Sequence, residues 1–149
     1  MGVLSIYLYE MSFEIQNAIN LIPQRVPFVF VDSLIYIDDK SSHGVFKIPA
    51  ENIFVKSGLY SASGMVESMA QTAAAGTGYL CIKNQKKIPV GYIGAVQKLE
   101  VFDWPPANAE IRMEINLITN ILQVSLVSGI VKYDEKLMAS CEMKIFVTN

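Results

Sequence analysis

The side chains able to do chemistry are few in this sequence, and they stand apart. Glu67 is the lone acid in a stretch of small and apolar residues that opens Met65-Val66-Glu67-Ser68-Met69-Ala70-Gln71. A carboxyl pressed into apolar surroundings resists ionisation, which suits it to deliver a proton as a general acid. By position alone, Glu67 equally fits a residue favoured by the dipole near a helix N-terminus. His43 is the single histidine. Its titration near neutrality would suit a base, but it alternates with Val45 and Lys47 in a strand pattern and is expected to lie away from Glu67. Tyr60, with a reference pKa of ~10, is a poor base and reads as pocket wall. Cys81 and Cys141 are the two cysteines. One histidine and two separated cysteines make neither a zinc site nor a Cys/His nucleophile pair, so no metal or other cofactor is expected. Nor do they make a disulfide framework; both are read as reduced, in a cytoplasmic protein.

Glu67 needs a helix to hold it, and residues 58–85 form the only long helical pattern. Apolar or small residues recur there at Met65, Met69, Thr72, Ala73, Gly76 and Leu80, a spacing of threes and fours. Ser61 or Ser63 can cap its start, and Lys83, Lys86 and Lys87 gather at its end, where cations suit the helix dipole. The small side chains of its middle allow a close approach to a neighbouring surface. Around it the chain reads as strands. Residues 28–37 and 42–48 are β-prone, with a turn at Asp38-Asp39-Lys40 and a loop at 49–57. Four more strand patterns follow, at 89–104, 110–118, 122–133 and 137–147. The second places Ile111, Met113, Ile115 and Leu117 on one face and Arg112, Glu114 and Asn116 on the other; the last does the same for Leu137, Ala139, Cys141, Met143, Ile145 and Val147. A short helix is expected at 13–22, capped by Ser12 and ended by Pro23. One long helix before a cluster of strands points to an α+β layer, a curved antiparallel sheet of five or six strands around the helix.

Length and composition agree. The chain has 149 residues, 52% hydrophobic and 17% charged, which suits one domain over 1–149 with a real core; residues 1–10 would be an extra N-terminal arm. The apolar excess is read as buried sheet plus an oligomer interface. No window reaches the ~18 uninterrupted apolar residues of a membrane span, and no basic residue precedes the first apolar run as in a signal peptide. A net charge of −2 argues against a general nucleic-acid binder.

Three stretches carry a family resemblance. Ile22-Pro23-Gln24-Arg25-Val26-Pro27-Phe28, with Asp32 beyond, resembles the Pro-His-Arg-x-Pro-Phe-x-x-x-Asp opening of the 3-hydroxyacyl-(acyl carrier protein) dehydratases, a hotdog-fold family. Met65-Val66-Glu67-Ser68-Met69-Ala70-Gln71 resembles their helix, with its Glu-x-x-Ala-Gln core. Gly91-Tyr92-Ile93-Gly94-Ala95-Val96-Gln97-Lys98-Leu99 and the later Pro105-Pro106-Ala107 turn resemble their third strand and its exit. The match runs over about residues 20–147, and the histidine-free helix entry is most similar to the dehydratase-like proteins of aryl-polyene-type pigment pathways. The departures are specific. Where the family's loop before the helix holds its catalytic histidine, this chain has Ile53, and the Pro-His-Arg histidine is Gln24.

The resemblance implies a hotdog fold and a dehydratase of fatty-acid or polyene-type biosynthesis, acting on acyl thioesters of acyl carrier protein or coenzyme A. It makes Glu67 the partner of the leaving hydroxyl and the amides around Ser61, Ala62, Ser63 and Gly64 the site for the carbonyl oxygen. Asn52, Gly58, Tyr60 and Gln71 complete the implied substrate contacts. In that family subunits pair edge to edge with sites at the interface, so a homo-oligomer, or a hetero-oligomer with another hotdog subunit, is expected. Arg25, Lys56, Lys83, Lys86, Lys87 and Lys98 could meet an acidic carrier protein, the Lys83–Lys87 group reading equally as a solvated helix end. Because the histidine is missing, two alternatives stay open: a hotdog thioesterase using Glu67 alone, and a non-catalytic subunit that completes an active homologue.

Overall fold

The computed structural model describes residues 14–148. Its order is β1 (Gln16–Asn17), a 3-10 turn (Ala18–Asn20), β2 (Ser33–Ile37), β3 (Ser41–Lys47), β4 (Val55–Lys56) and β5 (Leu59–Tyr60). Then come α1 (Ala62–Lys83), β6 (Val90–Val101), β7 (Glu110–Ile121), β8 (Val124–Tyr133) and β9 (Lys136–Thr148). The architecture is the expected α+β layer. A seven-stranded antiparallel sheet runs β1-β2-β3-β7-β8-β9-β6, one strand more than expected because the two residues of β1 join its edge. The arm at 1–10 and the Ser12 cap lie outside the described residues.

The first segment departs from expectation. Residues 14–22 make a strand and a 3-10 turn, not an α-helix. Asn17 Oδ1 accepts from the Ile19 amide at 3.3 Å, and the Ala18 amide donates to Asp32 O at 2.9 Å. A side chain that captures its own backbone, together with pairing to a neighbouring chain, competes with helix formation. Ala18 and Ile22 of this segment are buried even so.

Strand β2 begins later than the β-prone run at 28–37 suggested. Ahead of β2, Asp32 already pairs with Val45 of β3, its amide donating to Val45 O at 2.8 Å, but the backbone of Phe28 and Phe30 is held by a helix side chain instead. Gln71 Oε1 accepts from the Phe30 amide at 2.7 Å, and Gln71 Nε2 donates to Phe28 O at 2.9 Å. The turn to β3 is where expected: Asp38 Oδ1 accepts from the Lys40 and Ser41 amides at 2.8 and 2.7 Å. The loop at 49–57 and the start of the expected helix fold into a small β4–β5 hairpin. Its turn places Ser57 at φ 52° and Gly58 at φ 76°, a left-handed conformation that suits glycine.

Helix α1 starts at the expected cap, with Ser61 Oγ accepting from the Gly64 amide at 3.3 Å. Its Met65, Met69, Thr72 and Ala75 pack on the inward residues of the sheet, among them Leu34, Phe46, Ile111, Met113 and Met143, all buried. The small residues do allow close approach. A Cβ on Gly76 would stand 2.7 Å from Ser42 Cβ, and one on Gly78 would collide with the Leu21 carbonyl. Cys141 faces inward against Met69, Sγ to Sδ 3.9 Å, and burial pushes its thiol up to about 11. Among the described residues, strand β6 pairs with β9 alone. It leaves Tyr92, Val96 and Leu99 exposed at 58%, 39% and 43%, a long apolar edge of the kind monomeric proteins guard against.

Candidate active site

Glu67 stands in the second turn of α1, half-buried. Burial raises its carboxyl above the usual range, and a hydrogen bond from Gln71 offsets part of that rise. It is the residue shared by two recesses. A cavity of about 490 Å³ passes along the helix by Glu67, Ala70, Ala74, Thr77 and Leu80, well within the ~300–1,000 Å³ typical of ligand sites. Across from the helix, Ile115, Leu117, Val127 and Ile145 form an apolar part of its wall, and Asp38, Lys40, Asn120 and Ser125 a polar part. A smaller recess lies toward the β6 edge, between Phe54, Ala62, Ser63, Val66 and Glu67 on one side and Val96 and Leu99 on the other. Leu99 reaches it because β6 bulges between Gln97 and Glu100, with Lys98 at φ 52°.

Ala62 and Ser63 belong to this smaller recess, beside Glu67 as expected. The first amides of a helix have no partner within it. Ser61 Oγ takes that of Gly64, whereas the amides of Ala62 and Ser63 meet no acceptor among the described residues. Gln71 lines the large cavity, but its amide is engaged by the Phe28 and Phe30 backbone.

Five of the expected substrate contacts, Asn52, Gly58, Tyr60, Ser61 and Gly64, line neither recess. Asn52 Oδ1 accepts from the Phe54 amide at 2.9 Å and closes its own loop. Gly58 occupies the hairpin turn, its carbonyl accepting from the Ala107 amide at 2.9 Å. Tyr60 is fully buried under the helix start, with its hydroxyl 2.9 Å from Ser68 Oγ; a Cβ on Gly64 would meet its ring at 2.5 Å. Burial raises the Tyr60 phenol further above its ordinary value.

His43 lies on the outer face of β3, as its alternation implied, paired across strands with Glu114 and 5.0 Å from the Tyr36 ring. Its neighbours Ser42 and Gly44 face the helix, so the sheet stands between His43 and Glu67. Burial lowers its pKa. Among the described residues no histidine, cysteine and carboxylate cluster could hold a metal ion. Sequence reasoning overlooked Gln24 as a wall of the large cavity and Val96 and Leu99 beside Glu67. The only signal for Gln24 was its place in the resemblance, where a histidine was expected.

The sequence profile of the ApeP-like family, described as ApeP dehydratase, matches residues 16–149. The chain belongs to the ApeP-like family. No curated protein matches its sequence. Solved structures share its fold at low identity, and the ApeP-like chain has the hotdog fold. It is similar to a chain of the dehydratase heterocomplex ApeI:P from Xenorhabdus doucetiae, with a TM-score of 0.83 and 13% identity over 89% of this chain and 91% of that one. It is also similar to Cj0977, a sigma28-regulated virulence protein from Campylobacter jejuni, at TM-score 0.69 and 13% identity over 89% and 87% of the two chains. A hypothetical thioesterase from Streptococcus pneumoniae, solved with coenzyme A, matches at TM-score 0.62 and 8% identity over 78% and 84%. No helix among the described residues is long and apolar enough to cross a membrane.

Proposed function

We propose that this chain is a subunit of a 3-hydroxyacyl thioester dehydratase in fatty-acid or polyene-type biosynthesis. The observation that carries the reading is Glu67, half-buried with a raised carboxyl pKa, at the junction of a cavity with a partly apolar wall and the free β6 edge. In the proposed reaction the acyl chain fills the cavity. The amides of Ala62 and Ser63 hold the thioester carbonyl oxygen as charge builds on it. A base removes the proton from the carbon next to the carbonyl, and the hydroxyl leaves with the proton of Glu67 as water, giving the enoyl thioester.

The base is not supplied by this chain's histidine, which the sheet separates from Glu67. A second hotdog subunit, paired along β6, brings it into the smaller recess. The exposed apolar edge supports that pairing, as does the dehydratase heterocomplex named for the similar Xenorhabdus structure. The carrier is acyl carrier protein, and the setting is cytoplasmic, a reading that two cysteines left unpaired with each other support.

The test is turnover of 3-hydroxyacyl and crotonyl thioesters by the chain alone and with a second hotdog subunit encoded beside it. Change of enoyl absorbance that needs both subunits, and that falls ~10²-fold or more in Glu67→Gln, supports the reading. Release of free thiol by the chain alone would assign a thioesterase instead. Activity unchanged by Glu67→Gln would refute the role given to that carboxyl.

A further inference from the structure

The large cavity follows the helix over most of its length. Glu67, Ala70, Ala74, Thr77 and Leu80 all line it, and residues spaced by threes and fours share one face of a helix. Leu80 stands thirteen residues beyond Glu67 within α1, which at ~1.5 Å rise per residue is about 20 Å along the axis. An extended chain advances at most ~3.6 Å over three bonds, so about 16 carbons cover that length. Between the two ends the helix presents only short side chains to the cavity, none of them fully buried at Ala70, Ala74 or Thr77.

The sheet opposite changes character along the same path. A Cβ on Gly44 of β3 would meet Thr72 Oγ1 at 2.8 Å, and one on Gly76 would meet Ser42 Cβ at 2.7 Å. Moving outward along β3 therefore moves toward the Leu80 end of the helix. Ser42 pairs with Ile115, and Ile115 with Gly129. Beyond that row come the apolar pair Leu117 and Val127, then the polar pair Asn120 and Ser125. Asp38, Lys40 and Asn120, which also line the cavity, are exposed. The path is thus apolar first and meets water at its far end.

We infer that the acyl chain lies along α1, with its reacting end at Glu67 and its tail toward Leu80, and that Ala74 and Thr77 are specificity-determining residues that keep the path open to long chains. The inference rests on the acyl-cavity reading above. It adds the direction of the chain, the residues that limit it, and a substrate class of long-chain acyl thioesters. Each methylene laid against the apolar wall leaves water, which strengthens binding by up to about 4-fold. A methylene beyond Leu80 returns to solvent and adds nothing.

Calorimetric titration of the purified protein with saturated coenzyme A thioesters, from hexanoyl to hexadecanoyl, tests this in wild type, Ala74→Phe and Thr77→Phe. Wild-type affinity is expected to rise with each added pair of carbons through tetradecanoyl, by up to about 15-fold per pair. Both variants should bind hexanoyl-coenzyme A as wild type does. Ala74→Phe should end the rise first. Thr77→Phe should end it about four carbons later, because three residues of helix span ~4.5 Å. The smaller blocks Ala74→Leu and Thr77→Leu should fall in the same order, so the test does not depend on one variant folding. A wild-type rise that ends at octanoyl, or variants whose rise ends at the same length, would overturn the inference and leave the acyl-cavity reading standing. Binding of no thioester at any length would remove that reading and this inference together.

Discussion

Replacing Gln71 by methionine removes two hydrogen bonds while keeping the length of the side chain. The Phe30 amide, 2.7 Å from Gln71 Oε1, is buried, and its loss of a partner costs about 1–3 kcal/mol. Phe28 O, 2.9 Å from Nε2, is only part-buried and can recover water, so its loss is set at ~0.5–1.5 kcal/mol. Together the change should cost about 2–4 kcal/mol. For a chain of this length, each kcal/mol corresponds to ~2–4 °C, so the melting temperature should fall by roughly 5–15 °C. Urea denaturation and thermal scans followed by circular dichroism would read both figures. Gln71→Glu is the internal control. As a carboxylate it can still accept from Phe30 but cannot donate to Phe28, and it adds a negative charge one turn from Glu67. Its deficit should therefore shrink on acidification, when the protonated carboxyl regains a donor. A Gln71→Met protein within ~1 kcal/mol of wild type would show that residues 28–30 are held by packing alone, against the clamp described above.

Gly78→Ala should destabilise by ~1–3 kcal/mol or more, because its Cβ meets the Leu21 carbonyl, a backbone atom that cannot swing aside. Gly91→Ala meets Ile145 Cγ2 only at an ordinary 3.5 Å and should stay within ~0.5 kcal/mol; chemical denaturation of the pair checks the contrast. Glu67→Gln should be at least as stable as wild type at neutral pH. The folded-state pKa of Glu67 lies above its unfolded value, so the unfolded chain ionises first and wild-type stability falls as pH rises through that window. The difference in melting temperature should close below about pH 4, where both states are protonated. In native alkylation with iodoacetamide, Cys81 should label before Cys141, whose buried thiol is pushed up to about 11; mass spectrometry of the digested protein decides the order.

The sequence by itself determined the elements whose one face is buried along their whole length. Alternation at Ile111, Met113 and Ile115, and again at Cys141 and Met143, marks strands, because those residues pack under the helix while Arg112, Glu114, Glu142 and Lys144 between and beside them are less covered. The spacing of Met65, Met69 and Thr72 after Ser61 marked the helix and its cap. Glu67 stood out for the same reason, as a carboxyl among small and apolar residues. The tertiary structure decided the rest. Residues 14–20 took a strand and a 3-10 turn because Asp32, distant in sequence, offered Ala18 a partner. The β4–β5 hairpin is too short to carry a period, and the backbone of Phe28 and Phe30 went to a glutamine of the helix. Periodicity records which side of an element is covered; it does not record how far apart two covered sides stand. The cavity beside Glu67 exists only in that separation.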